Sequence, residues 1–122
     1  MITITEPVAA RTWIPVCRLD DLEPGWGEAA LIIDDHGAPA QVALFRLDDD
    51  NVYATSNTDP HTGAEVMARG IVGSRGDAPT VASPLHKEIY DLRTGAGLTD
   101  PELALRSYPV RLTDGTVELG LD

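Results

Sequence analysis

Cysteine is nearly absent from this 122-residue chain: Cys17 is the only one. A lone thiol excludes an internal disulfide and any centre built from two or more thiolates of this chain. Basic residues are scarce too, 9 Lys and Arg against 20 Asp and Glu, for a net charge of −11. Nucleic acid and anionic membranes are polyanions, so neither is an expected partner. Long apolar runs are missing. The longest are about five residues, far below the ~20 that a membrane-spanning helix needs. The N-terminal stretch MITITEPVAARTW has no basic-then-apolar signal pattern. Together with the single cysteine, this points to a reducing, cytoplasmic setting. What is present, 43% hydrophobic and 24% charged residues, is the balance of one globular domain over residues 1–122.

Strand signals dominate. Residues 13–19 (WIPVCRL) carry bulky residues at alternate positions, with Pro15 suited to an edge strand or a bulge. Pro24-Gly25 reads as a turn. Residues 29–33 (AALII) form a continuous apolar run of the kind expected for a strand buried on both faces. Asp34-Asp35-His36-Gly37 reads as a hairpin turn, with residues 41–47 (QVALFRL) as the return strand. Residues 48–51 (DDDN) turn the chain again before a strand at 52–55. Further strands are expected at 80–82, 88–92, 108–112 and 116–121, the last pair joined by Asp114-Gly115, which suits a tight hairpin. Residues 100–104 (DPELA) fit one helical turn, with Asp100 as N-cap and Pro101 in the first helical position. Short strands and frequent turns indicate an all-β sandwich or barrel. The first ten residues are expected to fray.

Between residues 57 and 87 the alternation weakens and Pro60, Gly63, Gly70, Gly73, Gly76, Pro79 and Pro84 crowd in. A loop-rich segment of that length inside a small domain usually serves function. Charge shifts as well. Residues 18–59 hold ten acids and two bases, whereas 61–93 hold four of each: Glu65, Asp77, Glu88 and Asp91 against Arg69, Arg75, Lys87 and Arg93. Two readings stand: a solvated surface, or a docking face with much of the remaining acidic surface turned away. Arg69, Arg75 and Lys87 are the candidate docking residues, since such cations bind carboxylates or phosphates of a partner.

The segment opens on Asp59-Pro60-His61 and closes on Ser83-Pro84-Leu85-His86, with 21 residues between His61 and Ser83. This layout resembles the Rieske iron–sulfur domain, whose ligand pattern is Cys-x-His followed by Cys-Pro-x-His. In that family two thiolates hold one iron and two imidazoles the other. Here Asp59 and Ser83 stand at the cysteine positions and His61 and His86 at the histidine positions. Tyr90-Asp91-Leu92-Arg93-Thr94-Gly95 also resembles the segment after the second Rieske ligand pair. Serine hydroxyl and aspartate are poor substitutes for soft thiolates, and Cys17 falls far away in the first strand. The expectation is therefore a Rieske-like β-sandwich or barrel whose loop-rich insertion carries two former ligand loops and no [2Fe–2S] cluster.

A more specific resemblance covers roughly residues 13–121. Asn57-x-Asp59-Pro60, Arg69-Gly70-Ile71-Val72-Gly73 and Ala82-Ser83-Pro84-Leu85 together resemble the small subunit of cytoplasmic NAD(P)H-dependent nitrite reductase. That resemblance implies a partner, a large subunit carrying FAD, siroheme and a [4Fe–4S] cluster. It takes electrons from NAD(P)H and reduces nitrite to ammonia. The first expectation for this chain itself is a non-catalytic interaction module, with no catalytic residue and no cofactor of its own, that acts by contact. The contact surface would be the loop tip around residues 59–67 and 83–87.

Two alternatives belong to other classes. Asp59, His61 and His86 make a carboxylate and two imidazoles, a donor set that suits mononuclear Fe(II) or Zn(II). The plainer reading of the same residues is a turn-capping aspartate and two exposed histidines. The second alternative is a ferredoxin that completes its cluster with a partner's cysteines. Elsewhere, Cys17 reads as a small buried hydrophobe, His36 as a solvated turn residue, Trp13 as core and Trp26 as a partly exposed turn residue. Residues 69–76 (RGIVGSRG) read as a glycine-rich loop without the sequence context of a phosphate-binding loop.

Overall fold

The computed structural model describes residues 12–34 and 36–121. The fraying expected for the first ten residues, and Asp35 in the hairpin turn, lie outside that range. Among the described residues ten strands form three antiparallel sheets. β1 (Thr12–Arg18), β10 (Thr116–Leu121) and β9 (Val110–Thr113) make the first, in that order. β2 (Gly27–Ile33), β3 (Pro39–Arg46), β4 (Val52–Ser56) and β8 (Ser107–Tyr108) make the second. β5 (Ile71–Arg75), β6 (Ala78–Ala82) and β7 (Ile89–Asp91) make the third.

The expected all-β architecture is present, and the turn chemistry explains much of it. Asp114 and Gly115 both have positive φ, 52° and 82°, the geometry of a two-residue hairpin whose twist matches its strands. In the edge strand β1 the register slips between Pro15 and Cys17. A proline without an N–H is tolerated at such an irregularity. Cys17 is half-buried there. Burial, with Asp21 and Glu28 nearby, pushes its thiol above the ordinary value. Trp13 is half-buried, with the Arg111 guanidinium 4.4 Å from the centre of one of its rings. Trp26 and His36 are exposed.

The strand buried on both faces is β3, not β2. Val42 and Leu44 join Ile32, Ala54, Val117, Leu119 and Leu121 in one apolar cluster, between the first and second sheets. Ala43 and Phe45 point the other way and join Met67, Val81, Tyr90, Leu92 and Leu105, towards the third sheet. β3 has neighbours on both sides, whereas β2 ends its sheet. Of the 29–33 run only Ile32 is buried, and Leu31 and Ile33 are exposed.

Two other expectations need correction. Residues 71–75, read as part of a glycine-rich loop, form β5 and pair with β6 from Ile71↔Ala82 to Arg75↔Ala78. Val72 and Val81 face each other on the core side of that hairpin and supply the apolar alternation that the glycines obscure. Residues 100–104 form a turn, not a helix. The Asp100 carboxylate accepts the Glu102 N–H at 3.0 Å, and its carbonyl accepts the Leu103 N–H at 3.1 Å. The chain then bridges Ala104 to Ala96 instead of continuing helically.

Candidate functional site

Both motif loops leave the same end of the β5–β6–β7 sheet. The first, residues 57–66, connects β4 to a 3₁₀ turn (Met67–Arg69) that leads into β5. The second, residues 83–88, connects β6 to β7.

Asn57 anchors the first loop. Its side chain is buried, donates to Gln41 Oε1 at 3.0 Å and accepts the Ala68 N–H at 2.7 Å. The fully buried Met67 supplies the apolar anchor beside it. Beyond Asn57 the loop closes on itself. Asp59 N–H donates to Ala64 O, Gly63 N–H to Asp59 O, and Thr58 Oγ1 to Glu65 Oε2 at 2.7 Å. The second loop closes around Ser83. Its N–H donates to Glu88 O, its carbonyl accepts the Lys87 N–H, and its hydroxyl accepts the Leu85 N–H at 3.3 Å. Lys87 takes a left-handed φ of 61° to close it, an uncommon conformation for a side chain of that length.

One hydrogen bond ties the loops together. Ser83 Oγ donates to Asp59 Oδ2 at 2.6 Å, with both residues buried. Asp59 Oδ1 accepts the His61 N–H at 2.8 Å. Burial opposes the charge on Asp59. The bonds from Ser83 and from the His61 and Thr62 N–H groups, with the His61 charge, outweigh it and hold the carboxyl below its ordinary value. A short bond to an ionised acceptor is among the strong ones. Below lies Tyr90, whose hydroxyl is the one buried side-chain polar atom without a partner among the described residues. Burial, then the charges of Asp59, Glu88 and Asp100, push its phenol up to about 12.

The imidazoles of His61 and His86 are exposed and face each other, ring centres 4.4 Å apart and tilted by 52°. The structure thus brings together all four motif residues, Asp59, His61, Ser83 and His86. Among the described residues no group of three His, Cys, Asp or Glu side chains stands close enough to hold a metal ion. The Asp59 carboxylate spends its oxygens on Ser83 and on the backbone. The charged candidates separate. Arg69 precedes β5 and lies across from the residues after Ala82, at the loop end, and Lys87 is in the second loop. Arg75 sits at the opposite turn of the hairpin, four residues or about 13 Å away along the strand. None of the three has an ion-pair partner among the described residues.

The chain matches the family of Rieske-like [2Fe–2S] domains over residues 12–120. It is 37% identical over 108 residues to the nitrite reductase (NADH) small subunit of Salmonella typhimurium, covering 88% of this chain and 95% of that one. This chain belongs to the family of nitrite reductase small subunits. A crystal structure from Mycobacterium tuberculosis, assigned as an NADH-dependent nitrite reductase small subunit, superposes with a TM-score of 0.83 at 43% identity. That match covers 92% of this chain and 96% of the other. A nitrite reductase [NAD(P)H] large subunit of Klebsiella oxytoca also contains a 37% identical segment, spanning 91% of this chain and 11% of that protein. The chain is therefore a Rieske-like component of an oxidoreductase. No helix among its described residues is long and apolar enough to cross a membrane.

The [2Fe–2S] cluster in the wider family's description does not fit these residues. Ferric ions in such clusters need thiolates. The two thiolate positions hold a carboxylate and a hydroxyl, buried and bonded to each other. Cys17 lies in β1, in a sheet that does not contribute to the loop end. The sequence marked all four loop positions. Asn57 appeared there only as part of the family signature, and its anchoring role is visible only once Gln41 and Ala68 are seen beside it.

Proposed function

We propose that this chain is the cluster-free small subunit of a cytoplasmic, assimilatory NAD(P)H-dependent nitrite reductase. It docks on a large subunit that carries FAD, siroheme and a [4Fe–4S] cluster, and supports the reduction of nitrite to ammonia there. It performs no catalytic step itself. The observation that carries the reading is the buried Ser83–Asp59 hydrogen bond, which joins the two loops with protein atoms alone. A loop end held rigid in this way is suited to contact, since loops on a sheet scaffold are where recognition concentrates. The Klebsiella oxytoca large subunit, which contains a similar segment within one polypeptide, supports association between the two parts. Arg69 and Lys87 supply cations without an ion-pair partner among the described residues at that end, on a chain of net charge −11, and so mark it electrostatically for an acidic partner patch.

The test is to purify the large subunit with and without this chain and measure binding and nitrite turnover. Binding that falls at least tenfold in the Arg69→Glu/Lys87→Glu double variant, with nitrite turnover falling in parallel at limiting small subunit, is the expected result. Unchanged complex formation and turnover would place the contact elsewhere.

A further inference from the structure

β2 ends the four-stranded sheet, and among the described residues no strand lies along its outer edge. The Asp34 N–H donates to Ala38 O at 2.8 Å, which sets the phase of the β2–β3 ladder. Antiparallel pairs alternate between bonded and non-bonded, so Ile32–Ala40 and Ala30–Val42 are bonded pairs in the observed register. Ala29, Leu31 and Ile33 therefore turn their N–H and C=O groups outward. The same three residues share one face, where Leu31 is 69% and Ile33 58% exposed. Natural edge strands are usually blunted by lysine, proline or a bulge. β2 has none of these: its register is unbroken from Gly27 to Ile33 and its one charged residue is Glu28.

Charge selects what can lie there. Glu28 and Asp34 flank the exposed stretch. Leu31 also lines an open hollow of about 410 Å³ with Pro39, Gln41, Ser56, Thr58 and Glu65, which continues the edge to the first motif loop. The bases of residues 18–59 are already engaged: Arg46 binds Asp50 and the Leu19 and Leu22 carbonyls, and Arg18 binds the Asp114 carbonyl and Thr116. Arg106, whose charge reaches Asp34, lies over the Tyr108 ring at 4.5 Å, which leaves Glu28 and Glu65 as the acids that favour a cationic segment. A second copy of β2 fits poorly, because antiparallel pairing about Leu31 would set Glu28 opposite Asp34, and like charges directly opposed are destabilising.

We propose that the β2 edge accepts an extended segment of the large subunit as a fifth strand. Its apolar residues would cover Leu31 and Ile33, and its lysines or arginines would sit beside Glu28 and Glu65. This rests on the docking reading above and adds a second contact, of opposite charge preference, to the loop end. The test is titration of the large subunit with wild-type chain and with the Leu31→Lys/Ile33→Lys variant, together with amide hydrogen exchange of the wild-type complex. Both substituted positions are exposed, so the variant retains its fold. The expected results are at least tenfold slower exchange at the Leu31 and Ile33 amides in the complex, at least tenfold weaker binding by the variant, and weakening with added salt. Full-affinity binding by the variant with unprotected β2 amides overturns this inference and leaves loop-end docking standing. Failure of the wild-type chain to bind at all overturns the docking reading and this one with it. Sedimentation of the chain alone as a dimer, lost in the variant, would assign the edge to a second copy and also overturn it.

Discussion

Replacing Ser83 with alanine removes the only side-chain donor to Asp59 Oδ2 among the described residues while leaving the carboxylate buried. The bond itself is charge-assisted and short. Losing one partner of such a bond strands a buried charge, which costs more than the net worth of an ordinary hydrogen bond, about 2–3 kcal/mol. A domain of this length loses about 4 °C of melting temperature per kcal/mol, so Ser83→Ala should melt about 8–12 °C lower. Asp59→Ala should cost a similar amount, since it removes the same bond and the one to the His61 N–H. Because each change alone already breaks the shared bond, the double variant should fall short of the sum by at least about 1 kcal/mol. Differential scanning calorimetry of the four proteins measures this directly. A Ser83→Ala shift below about 2 °C, or additive effects, would show that the loops are held by their other contacts and that the clasp contributes little.

Asp59→Asn tests the charge. The Asp59 carboxyl is held below its ordinary value of 3.8. Its stabilising contribution is therefore complete above that pH and lost as pH falls through the lower folded value. The gap in melting temperature between wild type and Asp59→Asn should be constant from about pH 7 to 5 and close below about pH 4, and a gap that persists in acid would contradict it. Tyr90→Phe removes a buried hydroxyl that has no partner, so denaturant unfolding should show a neutral or slightly stabilising effect, up to about 1 kcal/mol. A loss of more than about 1 kcal/mol would show that the hydroxyl is bonded after all. Gly95→Ala should be severely destabilising, because Gly95 has a φ of 81° and an added Cβ would collide with the Leu105 carbonyl. Expression of a normally folded variant by circular dichroism would refute the close approach.

Much of the fold was legible because its turns are chemically explicit. Asp114-Gly115 and the Asp48–Asn51 turn fixed strand ends to within about two residues. Periodicity located the two apolar runs at 29–33 and 41–47 but could not order their burial. That depends on which strand has a neighbour on each side, and sequence alone does not state it. β5 was hidden because glycine occupies one of its three outward positions and Ile71 and Arg75 the others, which breaks the usual apolar-in, polar-out alternation. The turn at 100–104 imitated a helix start because an aspartate caps both kinds of structure with the same carboxylate. At the site, spacing alone marked Asp59, His61, Ser83 and His86. That the carboxylate and hydroxyl bind each other could not be read from their spacing, since the bond spans 24 residues and depends on β6 carrying Ser83 back beside the first loop. The separation of Arg75 from Arg69 and Lys87 depends likewise on the hairpin that the glycines concealed.

In this chain, which matches the family of Rieske-like [2Fe–2S] domains, two loops are closed on each other by the Ser83–Asp59 hydrogen bond. Iron and acid-labile sulfide assay of the chain purified under anaerobic conditions, with its visible absorption and paramagnetic resonance spectra, tests this most directly. The account predicts neither element in stoichiometric amount and no charge-transfer absorption. Two irons and two sulfides per chain, with the matching spectrum, would contradict it.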